Sequence, residues 1–550
     1  MVDGKFLEAV RAHNNSQALF NAMMASNEDN VATVITVVNK KNPKLNDTFK
    51  GHLPLEYAIE TNKTKLFIAL AECHPPVGEV ANLSATVVDD EKKIAMSLLH
   101  YAASLGRSLI VKFLLSKGVD QTTQDRHGLL PIHYAAQSGD CATVDALNSH
   151  QQAINAVSRT GEYALHFAVK AGKMNVVTHL LGLGADVNCR DKFGRTPLHL
   201  AAKNNLRDMV VLLLKQKNTS RRHMDYRGRN AFHFAVEGGN SQLAFGLVSK
   251  AEKFSKPDAA GMTAMHIATE RSNIEMLKYL KGRDGLSFLD KDIKGRMPLH
   301  IAAQRNLLEM FNFLVDELGQ KSLMSFMDEA GDTVIEYAIR GKAHAILQRL
   351  KELGVNFNRT NKLGCTPMHE VAKGQAGMMN WLNSLGVGYS SKNSLGRAPV
   401  HIAAEFGQLG VLETLRWISN DYIQIRDAEG MHPIHVACFS GQCEAVKWFV
   451  ENRFAQLSDV DNKGRDCLWH AKNGNQDKLV SYILNINDKP KAKRERADSL
   501  KQEPDIEIRK PKKATAEQLE AKAKANEQEF MCAQEPYDED YDVRALRPNS

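Results

Sequence analysis

At 550 residues, 43% hydrophobic and 25% charged, the chain has the composition of several globular domains or one long array, which excludes collagen-like, disulfide-scaffold and wholly disordered classes. No run nears the roughly 18 apolar residues of a membrane span, the first residues lack a basic-then-apolar leader, and the eight cysteines form no CxxC pair, so a cytosolic or nuclear chain with reduced thiols is expected. The formal charge of +7 is mild for this length: it suits an acidic protein partner and argues against nucleic acid as a direct ligand.

In chain order, residues 1–15 are a lead-in, and residues 16–50 read as an atypical N-terminal capping repeat. Gln17 to Val38 keeps a two-helix rhythm but is polar and degenerate, with Asn21 standing 35 residues before Glu56. From there a four-residue pattern, best formed as Thr196-Pro197-Leu198-His199, recurs through residues 51–487. Its last position falls at Glu56, then at histidines from His100 to His300, at Glu336, His369, His401 and His435, and finally at Trp469; ten of the twelve intervals lie within one residue of 33. A fixed period of this length decides the architecture before any local reading.

Within one unit, Thr196 is expected to cap a helix through its hydroxyl, and Pro197 suits the first helical position, where a missing N–H costs nothing. Ala201 and Ala202 keep one helix face small enough for a neighbouring unit to approach. The second helix carries Met209, Val210, Leu212, Leu213 and Leu214, an apolar face too broad for its own partner helix to cover. Between units an Asp or Asn precedes a Gly by three residues, as at Asp191/Gly194, Asp225/Gly228 and Asp461/Gly464, which is turn chemistry and predicts a short hairpin-like finger. The one long interval, 44 residues, places an insert at 73–96 that should replace a finger by a longer loop.

These residues resemble the ankyrin repeat family. The resemblance implies an all-α solenoid of stacked helix-turn-helix units with β-turn fingers, about 14 units over roughly residues 16 to 487, in one continuous array. It also implies that the anchor histidine bonds the capping Thr and the finger backbone, and that function lies in protein binding at finger tips and the concave face of the first helices. Among subfamilies, the long array with a basic tail resembles the inversin-type adaptors, although the tail has no IQ motif.

After Asn487 only eight of the last 63 residues are Val, Ile, Leu, Met or Phe, so residues 488–550 are expected to be a disordered charged tail with a short helix at 515–530. The stretch from Lys489 to Lys513 holds ten Lys or Arg against five Asp or Glu and resembles a bipartite nuclear-import signal. The end, from Glu535 to Asp542, is acidic and carries Tyr537 and Tyr541.

No catalytic, cofactor-binding or metal-binding set stands outside the repeat pattern, so a non-enzymatic scaffold or adaptor is expected, organising a kinase, cytoskeletal or ciliary complex. The alternative is a nuclear regulator that binds transcription or chromatin proteins and uses the basic tail for import. The group nearest to a metal site is His432, His435, Cys438 and Cys443, but it mixes an anchor histidine with helix residues that point elsewhere. Basic finger residues are the candidate partner-binding set: Arg159, Lys192, Arg195, Arg227, Arg229, Lys294, Arg296, Lys362 and Arg397, expected on exposed turns that contribute little to stacking and suited to an extended acidic segment. Failing these, recognition would fall on Lys170, Lys203, Arg340 and Phe439. Candidate modification sites are Asn188, in a context resembling hydroxylated ankyrin asparagines, Lys501 in a sumoylation-like tetrapeptide, and Tyr537 and Tyr541.

Overall fold

In a computed structural model, the described residues are 17–25, 31–41, 52–72, 83, 86–89, 94–148, 154–247, 256–283, 285–319 and 325–487. The readings of residues 1–15, of the 488–550 tail and of its 515–530 helix lie outside them. Two compact units, Met1–Ile293 and Lys294–Ser550, are distinguished and are described in turn.

In the first unit, short helices alternate. An inner helix such as Pro197–Lys203 is followed by a tight turn and an outer helix such as Arg207–Leu214, and the same pairing recurs at Pro131–Ser138 with Cys141–Leu147 and at Ala164–Lys170 with Met174–Gly182. Sequence dictates each part. Pro197 opens the inner helix from the extended Thr196, and Ala201 and Ala202 are fully buried, so adjacent inner helices meet through methyl groups. Met209, Val210 and Leu213 bury the outer helix. The insert is not a plain loop: strands Thr86–Asp89 and Ile94–Ser97 pair antiparallel, with Thr86 opposite Ser97 and Asp89 opposite Ile94. Thr86, Val87, Val88 and Ile94 are β-branched, which favours strand over helix there.

Each unit is joined to the next by its anchor imidazole. The Thr196 N–H donates to His199 Nδ1 at 2.9 Å, and His199 Nε2 lies 2.9 Å from the His223 carbonyl of the following repeat. His133 repeats this with Leu130 N–H and the Ala156 carbonyl, and His166 with Tyr163 N–H and the Arg195 carbonyl. A backbone N–H can only donate and a carbonyl can only accept, so the ring is neutral with its proton on Nε2. The threonine hydroxyl departs from its expected role: Thr196 Oγ1 turns to His199 Nδ1 at 3.0 Å and makes no hydrogen bond to the helix backbone. The imidazole itself supplies the cap.

The fingers stack by one backbone hydrogen bond apiece, from Lys192 N–H to Thr160 O, Tyr226 N–H to Phe193 O and Ala259 N–H to Arg227 O. Gly194 (φ 78°) needs its glycine twice over, because it sits in the left-handed region and a Cβ there would lie 3.0 Å from Tyr226 N.

The second unit follows the same plan through Pro298–Gln304, Val334–Arg340, Pro367–Val371, Pro399–Glu405, Pro433–Phe439 and Cys467–Asn473 as inner helices. His369, His401 and His435 reach the carbonyls of Arg397, Met431 and Asp459. Where glutamate stands at the anchor, only the capping half survives: Thr333 donates its N–H and its hydroxyl to Glu336 Oε2, both at 2.7 Å. Burial pushes the Glu336 carboxyl up to about 7. At the last anchor Trp469 is 41% exposed with the Arg465 guanidinium 4.6 Å from its ring centre.

Desolvation holds His133, His199 and His401 down at about 4, against an ordinary value of 6.5. Between those values the unfolded chain binds more protons than the fold, so stability present above pH 6.5 is lost as pH falls towards 4. The thermal midpoint should therefore drop steeply over that window. At pH 7.5, His199→Ala should lower stability by about 1–3 kcal/mol, through the orphaned Thr196 N–H and His223 carbonyl. Denaturant titration followed by circular dichroism checks this.

Candidate protein-binding face

The finger turn is locked by its aspartate. Asp191 Oδ1 accepts the N–H groups of Phe193 (2.9 Å) and Arg195 (2.8 Å), and Asp225 Oδ1 does the same for Arg227 and Arg229. With the carboxylate beneath the turn, the two tip side chains point outward. In the first unit these tips pair a cation with an apolar group: Lys192 with Phe193 (42% exposed) and Arg227 with Tyr226 (69% exposed). Lys192 Nζ and Arg195 Cζ lie 5.0 and 4.8 Å from the centre of the Phe193 ring. In the second unit Lys362 neighbours the exposed Leu363, and the Lys362 ammonium also donates to the Glu329 carbonyl at 2.6 Å.

The nine candidate basic residues fall into two groups. Arg159, Lys192, Arg227, Lys294 and Lys362 are exposed. Arg195, Arg229, Arg296 and Arg397 are half-buried at the finger base, and here the structure corrects the expectation of free turn residues. Arg195 Nε donates to Asp191 Oδ2 at 2.7 Å, Arg229 Nε to Asp225 Oδ2 at 3.0 Å, Arg296 Nη1 to Gln304 Oε1 at 3.4 Å, and Arg397 Nη1 to Glu405 at 3.5 Å. The physical reason is that the last finger residue lies beside both its own turn aspartate and the end of its inner helix eight residues on.

The inner-helix residues named from sequence are drawn into the same ion pairs. Lys170 bonds Glu162, Lys203 meets Glu237 at 2.9 Å, and Arg340 bonds Asp332 and Glu370. Glu237, which also faces Arg229 and Arg271, is held below the ordinary carboxylate range by these cations acting against its burial. Phe439 is 46% exposed. Sequence reasoning placed Arg159 on a finger but missed that finger's turn residue: Ser158 takes the place of Asp and its hydroxyl accepts the Glu162 N–H at 3.0 Å; Gly161, three residues on, was the available signal.

Asn188 acts structurally, donating from Nδ2 to the Asn218 carbonyl at 2.7 Å. Lys501, Tyr537 and Tyr541 lie outside the described residues. The His432, His435, Cys438 and Cys443 set is not gathered on one point: both ring nitrogens of His435 face backbone partners, His432 N–H and the Asp459 carbonyl. Among the described residues, the potential ligand atoms that do converge, within 4.8 Å of one another, belong to His52, Glu56 and Glu60. No helix of the described residues is long and apolar enough to cross a membrane.

The arrangement defines a repeat scaffold whose usable chemistry is surface recognition. The family model for ankyrin repeats (three copies) matches residues 81–158, 165–258, 233–323 and 400–494, more than half of the sequence, and the chain belongs to the ankyrin-repeat family. It is therefore a protein-interaction scaffold in class. Among known proteins it is similar to the probable 26S proteasome regulatory subunit p28 of Saccharomyces cerevisiae, with 27% identity over 279 residues that cover 50% of this chain and 92% of that protein.

Separating tip from base gives a direct expectation. Reversal at the base (Arg195→Glu with Arg229→Glu) puts like charges against the buried Asp191 and Asp225 and should lower the unfolding midpoint clearly. The tip pair Lys192→Glu with Arg227→Glu should leave it nearly unchanged, as surface substitutions do within about 0.5 kcal/mol. Thermal melts of the two double variants side by side check this.

Proposed function

We propose that this chain is a non-enzymatic adaptor that holds a protein partner along the finger tips of its first unit, and that the recognised element is an extended acidic segment with interspersed apolar side chains. The observation that carries the reading is the pairing of exposed Lys192 and Arg227 with exposed Phe193 and Tyr226 on turns fixed by Asp191 and Asp225. Rigid turns reduce the ordering cost of binding, the rings supply area, and the cations supply steering and register. The basic residues Arg190, Arg221 and Arg222 are exposed on the same unit and extend the positive field. The chain's own segment from Glu535 to Asp542 has the required sign and serves as a tethered competitor.

The likeness to p28 over nearly the whole of that protein favours a second, compatible reading: the chain acts as a regulatory subunit of a complex of the 26S proteasome type. A kinase, cytoskeletal or ciliary complex rests on the family resemblance alone. Work in the cytosol fits either reading, and nuclear residence follows if the Lys489–Lys513 stretch drives import.

A labelled peptide spanning Glu535 to Asp542, titrated onto the chain truncated after Asn487, tests the acidic-segment reading. Lys192→Glu with Arg227→Glu should weaken binding at least about tenfold, and raising salt from low to physiological strength should weaken it further, because exposed charge pairs are screened over about 8–10 Å. Equal affinity for both proteins, or none for either, contradicts it. Co-sedimentation with purified 26S proteasome tests the second reading separately.

A further inference from the structure

The N-terminal edge of the first unit departs from the anchor pattern in a way the repeat does not require. Glu56 replaces histidine on the inner helix Pro54–Glu60, and its Oε2 takes over the capping role by accepting the Leu53 N–H at 2.9 Å. That leaves Oε1 without a backbone partner to serve. Glu60 stands one turn further along the same helix face, and His52 precedes the helix by two residues. His52 Nδ1 lies 3.6 Å from Glu56 Oε1 and 3.6 Å from Glu60 Oε1.

These separations are too long for hydrogen bonds, which for N–H to O run about 2.7–3.2 Å. His52 Nδ1 is accordingly a buried ring nitrogen with no hydrogen-bond partner, and such atoms ask for a reason. The distances are close to those between neighbouring ligands of one tetrahedral ion: at metal–ligand lengths of about 2.0–2.1 Å, ligand atoms stand about 3.3–3.4 Å apart. All three atoms lie within 4.8 Å of one another, so side-chain rotation would bring them onto a common centre. Both carboxylates are already oriented by second partners, Glu56 by Leu53 N–H and Glu60 Oε1 by the Tyr101 hydroxyl at 2.6 Å, which is how the outer shell of a metal site works. Glu56 is almost wholly buried, with 5% of its side chain exposed, and its burial raises the carboxyl pKa, a cost that a cation beside the pair would offset; His52 and Glu60, 42% and 33% exposed, leave that position open to solvent.

We propose that His52, Glu56 and Glu60 form a binding site for one divalent transition-metal cation of the Zn²⁺ type, with a fourth position left for water. The mixed imidazole and carboxylate set suits such an ion better than Mg²⁺ or Ca²⁺, which favour all-oxygen shells. The bound ion would tie His52 to the inner helix Pro54–Glu60 and stiffen that part of the first unit. No catalytic step is assigned to it.

The test uses the full chain freed of metal by chelation, titrated with zinc sulfate in a calorimeter at pH 7.5, beside His52→Ala and Glu60→Gln. Neither substitution touches the Leu53–Glu56 cap, and glutamine keeps an acceptor for Tyr101. Wild type should bind one equivalent that both variants lose or hold at least tenfold more weakly, with unchanged circular dichroism, and millimolar Mg²⁺ should not compete. Zinc absorption fine structure of the wild type at one equivalent should show nitrogen and oxygen neighbours only; this holds as a readout even if a variant misfolds. Equal zinc binding by wild type and both variants, no binding by wild type, or a sulfur neighbour near 2.3 Å would overturn the proposal.

Discussion

The structure depends on a buried neutral imidazole that does two jobs at once. On Nδ1 it accepts the N–H that an inner helix would otherwise leave unpaired at its start, and through Nε2 it donates to a carbonyl of the next repeat, as His199 does between Thr196 and His223. A repeat without it would bury two unsatisfied backbone groups at the joint with its neighbour, each costing about 1–3 kcal/mol. One tautomer satisfies both partners, and a second proton would set N–H against N–H. Register between repeats, helix initiation and the loss of stability below pH 6.5 thus follow from one side chain. The exceptions obey the same logic. Glutamate at Glu336 keeps the cap through Oε2 but lacks the second ring nitrogen that spans to the next repeat, and Trp469, at the last of the described inner helices, leaves its ring at the surface.

With stacking assigned to the anchors, the fingers divide their labour. The residue that closes each turn, Arg195 or Arg229, is folded back onto its own aspartate and belongs to the scaffold. The two residues at the tip carry no such duty. That separation lets Lys192, Phe193, Tyr226 and Arg227 vary with the partner without cost to the fold, which is why a repeat scaffold can acquire recognition so freely. Arg340, bonded to both Asp332 and Glu370, shows the same tethering on the inner-helix face of the second unit.

Much of the architecture was legible in the sequence because it is written many times. A 33-residue period, proline at the start of inner helices and Asp–Gly spacing in the fingers each recur often enough to outweigh local noise, and they placed the anchors and turns correctly. What recurs once was harder to read. The insert became a hairpin because its β-branched residues favour strand, and the role of Ser158 was overlooked because serine does the work of aspartate in that finger. The division of the basic residues was hidden for a different reason: Arg195 and Arg229 turn back onto Asp191 and Asp225 four residues earlier, a side-chain direction that spacing alone does not give. The His52, Glu56 and Glu60 group sits where the repeat is degenerate, so its glutamate read as a weak anchor rather than as a ligand.

The claim on which this account rests is the protonation state of the anchors, and long-range nitrogen–proton correlation spectra of the histidine rings measure it directly. At pH 7 the rings of His133, His199 and His401 should show a proton on Nε2 and a bare, hydrogen-bonded Nδ1, and they should hold that state on titration down to about pH 5 before the fold is lost. Anchor rings that carry their proton on Nδ1, or that titrate freely near pH 6.5 with the fold intact, would contradict it.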